Sequence, residues 1–283
     1  MGNINFAQID DYPQKMNAVY ATISGNPVGK VIIDDIKASS RDLTFKPRKQ
    51  TDIAKYGVCD AGTDALDQAA AAPRGVGGKG PAIWYKGYPD DVTTPDVDER
   101  YEPSNIVTDD KGTGEGSSVE IGFDPDNYTD ACIKRGPGSQ PDVVLLHEMV
   151  HALRMMQGQY NKVPTKNAFY DDEEEFVAIV IANVYLSQKD AAALLRGNHH
   201  DHERLWPPLN TSAGFVSDKD NYRILQVYRL TWLPTFTNLA MLVTPQFNPF
   251  REVRNKLGDV GEHTFSPPYT LSPAGTYPIP GQP

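Results

Sequence analysis

The segment HEMVH, from His147 to His151, constrains the fold of this chain more than any other feature of its sequence. It lies within the apolar run PDVVLLHEMVHALRMMQ, which begins at Pro141 and is followed by Gly158. Proline is favoured in the first turn of a helix, and glycine is favoured just beyond its end. The run therefore predicts a helix from Pro141 to about Gln157, with the two histidines on one face.

Two histidines spaced in this way can ligate one metal ion, and the HExxH spacing is typical of zinc-dependent peptidases. Glu148 follows His147 by one residue, about 100° further round the helix. From there its carboxylate can reach a water on the metal rather than the metal itself, which makes Glu148 the natural general base. We predict one Zn²⁺ ion per chain, with His147 and His151 as two of its ligands.

The third zinc ligand must come from another part of the chain, because a catalytic zinc site usually has three protein ligands and an open position for water. A second helix, predicted at about residues 172–188, begins with the acidic run DDEEEF. We predict Glu175 from this run as the third ligand. The alternatives are Glu174, Glu173 or a histidine between residues 199 and 202. Acidic residues also stabilise helix N-termini, so part of the run needs no metal to explain it.

A tyrosine or histidine beside the zinc often stabilises the oxyanion in such sites. The candidates are Tyr170, Tyr160, His200 and His263. We predict Tyr170, because it lies just before the helix that supplies the third ligand.

The segment GNHHDHE contains His199, His200 and His202. Two histidines together with an aspartate can bind a metal ion, so a second ion is a secondary hypothesis for this segment. The alternative is an exposed turn at the end of a helix.

Composition excludes several classes of protein. The chain has 283 residues, 39% of them apolar, which is enough to bury a sizeable core. A net charge of -10 argues against a nucleic-acid partner, because binding phosphates requires a concentrated basic surface. The first residues show no positively charged start followed by an apolar stretch, and no segment reaches the length of a membrane span. We expect a soluble protein without a cleavable signal peptide.

The first half of the chain alternates helical and strand patterns. Helices are predicted at residues 12–24 and 31–36, and strands at residues 43–45, 83–85 and 117–123 (SSVEIGF). Residues 89–116 are acidic and rich in Pro, Gly, Asp and Thr, which is typical of a long surface loop.

The second half is predicted to be mainly helical, with further helices at residues 189–196 and 218–243, the latter divided by Pro234. After Leu257 the chain is rich in proline, which excludes a regular helix or sheet. We predict a mixed α/β region at 1–110 packed on a catalytic domain at 111–257, followed by a Pro-rich tail at 258–283.

Cys59 and Cys132 are the two cysteines of the chain, too few for a disulfide scaffold or a four-thiolate zinc site. They either pair or remain reduced thiols. Because both precede HEMVH, a bond between them would brace the N-terminal half.

The segments PDVVLLHEMVHALRMMQG and YDDEEEFVAIVIANVY resemble the NleD-like family of bacterial effector and toxin zinc metallopeptidases, over about residues 115–205. HExxH followed by a later helix with an acidic start and Glu-Phe also resembles anthrax lethal factor, where the glutamate before the aromatic residue is the zinc ligand. This likeness favours Glu175. The chain departs from lethal factor at Ala168, where that protein has a tyrosine seven residues before the ligand.

The resemblance implies an α+β, zincin-like fold and a protein substrate inside a target cell. It also implies delivery by a specialised bacterial secretion system into a host or competitor cell, with the secretion apparatus or an immunity protein as further partners. The strand SSVEIGF would be the edge strand beside the cleft, on which an extended substrate pairs through main-chain hydrogen bonds.

Three functions are consistent with this sequence. The first is a zinc endopeptidase, and the second is a zinc hydrolase of a non-protein amide such as a cell-wall bond. The third is a catalytically silent metal-binding effector. The intact Glu148 argues against the third, because a silent site has no need of a general base.

Overall fold

The computed structural model describes residues 1–48, 53, 59, 61–72, 86–91, 94–97, 113–128, 130–160, 162, 165 and 169–257. The strand predicted at 83–85 and the Pro-rich tail at 258–283 lie outside the described residues, as do Ala168 and His263.

The N-terminal part alternates short strands and helices, as predicted. In chain order its elements are β1 (Ile4–Phe6), α1 (Tyr12–Ser24), α2 (Pro27–Ala38), β2 (Leu43–Lys46), β3 (Gly62–Ala65) and α3 (Gln68–Ala71). Asn26 separates the first two helices, because its side chain accepts a hydrogen bond from the N–H of Val28 and caps α2.

The middle of the chain contains β4 (Lys86–Asp91), β5 (Thr94–Val97), β6 (Val119–Gly122), a 3₁₀ turn (Pro125–Asn127) and α4 (Asp130–Ile133). Strands β4 and β5 pair with each other in an antiparallel hairpin, most of which lies within the segment 89–116 that was predicted as a loop. Main-chain hydrogen bonds make this pairing, and the sequences KGYPDD and TPDV have no apolar alternation that would have predicted it.

The C-terminal half is mainly helical. Its elements are α5 (Pro141–Met156), α6 (Glu173–Lys189), α7 (Ser212–Phe215), α8 (Lys219–Thr231), α9 (Leu233–Met241) and α10 (Pro249–Leu257). Helix α5 contains HEMVH, and α6 begins within the acidic run, so both predicted helices are confirmed. Pro234 lies in the first turn of α9 and divides α9 from α8, as predicted.

The helix predicted at 189–196 is wrong. Helix α6 ends at Lys189, and Arg196 instead forms an isolated antiparallel bridge with Arg204. The buried side chain of Asn183 supplies the reason. It accepts a hydrogen bond from the N–H of Arg196 at 2.7 Å and donates one to its carbonyl at 2.8 Å, replacing the partners that a helix would give.

Four of the strands form one sheet, in the order β1-β2-β6-β3. Strands β1, β2 and β6 are parallel, whereas β3 runs antiparallel to β6, with Thr63 opposite Ile121. The prediction that SSVEIGF is an edge strand is therefore wrong, because β6 lies between β2 and β3. Alternation of buried residues identifies one apolar face of a strand but not the number of its neighbours. The edge strand beside α5 is β3.

One hydrophobic core extends from the N-terminal helices to α10, and α5 and α6 cross its centre. Nearly every side chain of α6 is buried, which is typical of a helix that is apolar all round. The predicted α+β class is confirmed. The boundary predicted near residue 110 stays a prediction, and the main sheet combines strands from both sides of it. No helix among the described residues has the length and apolarity needed to cross a bilayer.

Cys59 and Cys132 form a disulfide that closes a sequence separation of 73 residues. The bond attaches the segment just before β3 to helix α4. It therefore braces the N-terminal half, which was one of the two arrangements that the sequence left open.

Candidate metal centre

Helix α5 brings His147 and His151 together on its buried face. The two Nε2 atoms are 3.1 Å apart, and the ring planes are almost perpendicular, at 87°. The two residues are 5% and 4% exposed. Two nitrogen donors thus converge on one point in the protein interior.

The first turn of α6 places Glu175 at the same point. The carboxylate of Asp172 caps this helix by accepting a hydrogen bond from the N–H of Glu175 at 2.9 Å. Glu175 then extends towards α5, with Oε2 3.1 Å from Nε2 of His147 and Oε1 3.5 Å from Nε2 of His151. The structure brings together the three residues that the sequence predicted as zinc ligands, with donor atoms within 4.8 Å of one another.

Glu174 points elsewhere, because successive residues on a helix are about 100° apart. Its carboxylate is fully buried, and both oxygens lie 2.7 Å from Nε of Arg154. The Arg154 guanidinium also lies over the rings of Tyr228 and Trp232, at 4.6 and 5.2 Å. Arg154 therefore engages Glu174 and leaves Glu175 as the carboxylate that faces the histidines.

Burial and the neighbouring charges shift the pKa values of the three residues, and the result is an ionised Glu175 carboxylate beside the two histidines. Burial lowers the pKa of His147 to about 3. Burial also disfavours a charged His151, but the Glu175 carboxylate outweighs this effect and raises the pKa of His151 to about 9. Burial opposes ionisation of Glu175, yet the positive charge of His151 and hydrogen bonds from both histidines hold its pKa below the usual range. In the metal-free site the proton on His151 balances the charge of this carboxylate, and a bound metal cation would take the place of that proton.

The donor set fits zinc. Two imidazole nitrogens and one carboxylate are a known ligand set for catalytic zinc. Ligands bound to a tetrahedral zinc ion at its usual distances lie about 3.3–3.6 Å from one another. The separations of 3.1 and 3.5 Å between Glu175 and the two histidines are close to this range.

The orientation of the two rings depends on packing. Metal-ligating histidines usually donate their second N–H to a carbonyl or carboxylate. The Nδ1 atoms of His147 and His151 are buried and have no hydrogen-bond partner among the described residues. Neighbouring rings flank them instead, with Tyr160 6.0 Å from His151 and His199 parallel to His147 at 6.2 Å.

Glu148 lies on the more open side of α5 and is only partly buried. Thr63 of β3 donates its hydroxyl to Oε2 of Glu148 at 2.6 Å, and the same hydroxyl is 3.2 Å from the backbone carbonyl of Glu148. Burial raises the pKa of Glu148, whereas the positive charge of His151 and the hydrogen bond from Thr63 lower it. Sequence reasoning missed Thr63, because nothing in its Gly- and Asp-containing surroundings marks it as a partner of HEMVH.

The two candidate tyrosines lie in different surroundings. Tyr170 is 3% exposed and packs edge-on against Phe176, with ring centroids 5.1 Å apart. Tyr160 lies beside His151, and burial together with the charges of nearby carboxylates, that of Glu174 the largest, raises its pKa. The hydroxyl of Tyr160 therefore stays protonated and can act as a donor. The catalytic role of Tyr170 stays a prediction.

The three histidines of the segment GNHHDHE have different partners in the structure. Nδ1 of His199 lies 2.8 Å from Asp171, and Nε2 of His200 lies 3.1 Å from the same carboxylate. The other ring nitrogen of His199 lies 3.1 Å from Glu175. His202 instead directs Nδ1 at the carbonyl of Pro137. The hypothesis of two histidines with an aspartate of the same segment is therefore met by Asp171, from the acidic run before α6, rather than by Asp201.

An HExxH helix at the centre of an α+β core, with a carboxylate from the next helix beside its histidines, defines a class of hydrolytic metal centres. A model of the M91 peptidase family, described as "Effector protein", matches residues 1–204. The match covers most of the 283 residues, so the chain belongs to this family of effector peptidases. Searches of curated proteins and of solved structures gave no match.

The family match confirms the predicted membership in the NleD-like effector metallopeptidases. It also includes the first 110 residues, where the sequence alone showed no resemblance. The strands that carry Thr63 and support β6 thus belong to the part of the chain that the family describes.

Proposed function

We propose that this effector peptidase is a zinc-dependent endopeptidase with a zincin-like catalytic site. The observation that carries the proposal is the convergence of His147, His151 and Glu175, with Glu148 on the same helix. These three residues would hold one Zn²⁺ ion. When bound, the ion would act as a Lewis acid and lower the pKa of a water molecule to about 7.

Glu148 would act as the general base. Its carboxylate would take the proton from the attacking water and deliver it to the nitrogen of the leaving amine. Thr63 donates to Oε2, so Oε1 would carry the proton between these two steps. The hydrogen bond also holds the carboxylate in one orientation, which limits the geometry of the transfer.

A tyrosine hydroxyl would donate to the carbonyl oxygen of the scissile bond as negative charge develops on it. Tyr160 is the better candidate, because its ring lies beside His151 and its hydroxyl stays protonated. Tyr170, the residue predicted from the sequence, is the alternative.

The edge strand β3 supports a peptide as substrate. It pairs with β6 on one side, and it is the terminal strand of the described sheet on the other. A terminal strand offers backbone N–H and carbonyl groups to an extended chain. Thr63 belongs to this strand, so a peptide paired there would lie next to the general base.

The family membership supports a protein target inside a host or competitor cell, reached through a specialised secretion system. The secretion apparatus and an immunity protein are then the expected partners. A zinc hydrolase of a cell-wall amide is the second candidate, since the same metal centre serves both reactions.

A proteome-wide cleavage screen tests the proposal. Purified wild type and Glu148→Gln are incubated with extracts of candidate target cells, and new N-termini are identified by mass spectrometry. New termini that depend on Glu148 support the endopeptidase. Cleavage by Glu148→Gln at the wild-type rate would refute the mechanism, and release of cell-wall fragments without new protein termini would favour the second candidate.

A further inference from the structure

His199 lies at the rim of the metal centre, and each of its ring nitrogens faces a carboxylate. Its Nε2 atom is 3.1 Å from Oε2 of Glu175, and its Nδ1 atom is 2.8 Å from Oδ2 of Asp171. A neutral imidazole has one N–H and can donate to only one of two carboxylates. The nitrogen without a hydrogen presents a lone pair to the other carboxylate, and two such groups can bind a metal ion between them.

His200 indicates where a metal ion would bind. Its Nε2 atom is 3.1 Å from Oδ1 of Asp171, so two imidazoles approach the two oxygens of one carboxylate. One ligand atom from each of Asp171, His199 and His200 lies within 4.8 Å of the other two. Two imidazole nitrogens and a carboxylate oxygen suit Zn²⁺ and related first-row divalent ions.

The backbone that carries His199 is held from the protein interior. The guanidinium of Arg196, which is 6% exposed, donates to the carbonyl of Asn198 at 2.7 Å and also to the carbonyl of His199. The buried Asn183 in turn binds both backbone groups of Arg196. The N–H of His199 donates to the carbonyl of Phe169 at 2.9 Å. These bonds fix His199 at the rim, which is the condition for a preorganised ligand.

We propose that Asp171, His199 and His200 form a second binding site for a divalent transition-metal ion, at the rim of the proposed catalytic centre. Nδ1 of His199 binds the ion, and its Nε2–H donates to Oε2 of Glu175. A carboxylate that accepts the second N–H of a metal-bound histidine is a common feature of protein metal sites. Glu175 would then be a ligand of the inner ion and would orient a ligand of the outer one.

The outer site is more open than the inner one. The side chains of His199, Asp171 and His200 are 27%, 46% and 71% exposed, whereas that of Glu175 is 11% exposed. An ion at this site keeps water molecules in its remaining positions and exchanges readily with solvent. We therefore expect it to bind more weakly than the inner ion.

Calorimetric titration of the metal-free full-length protein with Zn²⁺ tests the proposal, together with metal analysis after equilibrium dialysis. The wild type should bind two ions, one tightly and one weakly. His200→Ala and Asp171→Asn should each weaken the second ion by at least about tenfold and leave the tight one in place. Asp201→Asn is the matched control, because it removes an adjacent exposed carboxylate that is not part of the site.

The two proposals fail in distinguishable ways. A tight ion alone in the wild type, or a weak ion retained in both variants, would overturn the outer site. A weak ion that depends on Asp171, in a protein that binds no tight ion, would support the outer site and contradict the proposed catalytic centre.

Discussion

Nε of Arg154 lies 2.7 Å from both carboxylate oxygens of Glu174, at the point where α5 and α6 meet. Because of this ion pair, two adjacent glutamates at the acidic start of α6 have different roles. Glu174 is neutralised by an arginine in the core, and the adjacent Glu175 is directed at the two histidines. Charge pairing in the interior therefore determines which glutamate is available to a metal ion.

Glu174→Gln should destabilise the protein without removing a metal ligand. Loss of one partner of a buried ion pair leaves the other charge unpaired, which costs about 3–5 kcal/mol. Urea unfolding of the metal-free protein measures this change. Glu175→Gln is the matched control, since it alters the next residue on the same helix. It should cost less in the absence of metal, because the partner that it leaves, His151, can lose its proton whereas Arg154 cannot. Equal free energies of unfolding for the two variants would contradict this division of roles.

Thr63→Val should shift the acid limb of the pH–rate profile to higher pH. The hydrogen bond from Thr63 lowers the pKa of Glu148, against the opposite effect of burial. Without that bond the pKa rises further, and a general base is active only above its pKa. The midpoint of the acid limb of kcat/KM measures the shift. Thr63→Ser keeps the hydroxyl and should keep the wild-type midpoint, so a common midpoint for both variants would exclude this role of Thr63.

Cys132→Ser should lower the free energy of unfolding by about 2–4 kcal/mol, the usual effect of losing a native disulfide that closes a long loop. The Cys59–Cys132 bond closes a separation of 73 residues and holds the segment that leads into β3. Wild type under reducing conditions should unfold at the same urea concentration as Cys132→Ser. Unchanged stability in both cases would show that the bond does not contribute to the fold.

Tyr160→Phe should lower kcat by about 10²–10³, the range observed when a single oxyanion donor is removed, with little change in KM. Tyr170→Phe should act on stability instead, because its ring packs in the core against Phe176. Steady-state kinetics and thermal unfolding of both variants separate the two effects. A loss of kcat confined to Tyr170→Phe would show that Tyr170, the residue predicted from the sequence, is the oxyanion donor.

Local patterns in the sequence predicted α5, α6 and the residues on their facing sides. The spacing of His147 and His151 is a property of one helix, and the likeness to lethal factor selected Glu175. Within the described residues, the structure brings these three together as expected.

Contacts between residues that are far apart in the sequence could not be predicted from the same patterns. The hydroxyl of Thr63 reaches Glu148 only because β3 joins the sheet antiparallel to β6, and a four-residue strand has no signal for its direction. The pairing of Asp171 with His199 likewise depends on the loop that Asn183 holds in place. Hydrogen bonds between distant residues decided these features, whereas periodicity reports only local structure and burial.

The central claim is a metal ion held by His147, His151 and Glu175. The most direct test is the zinc content of purified wild type, Glu175→Ala and Glu173→Ala, measured by mass spectrometry after dialysis that removes weakly bound ions. We predict one tightly bound zinc ion in the wild type, little or none in Glu175→Ala and wild-type content in Glu173→Ala. Equal zinc in the two variants, or no zinc in the wild type, would contradict the account.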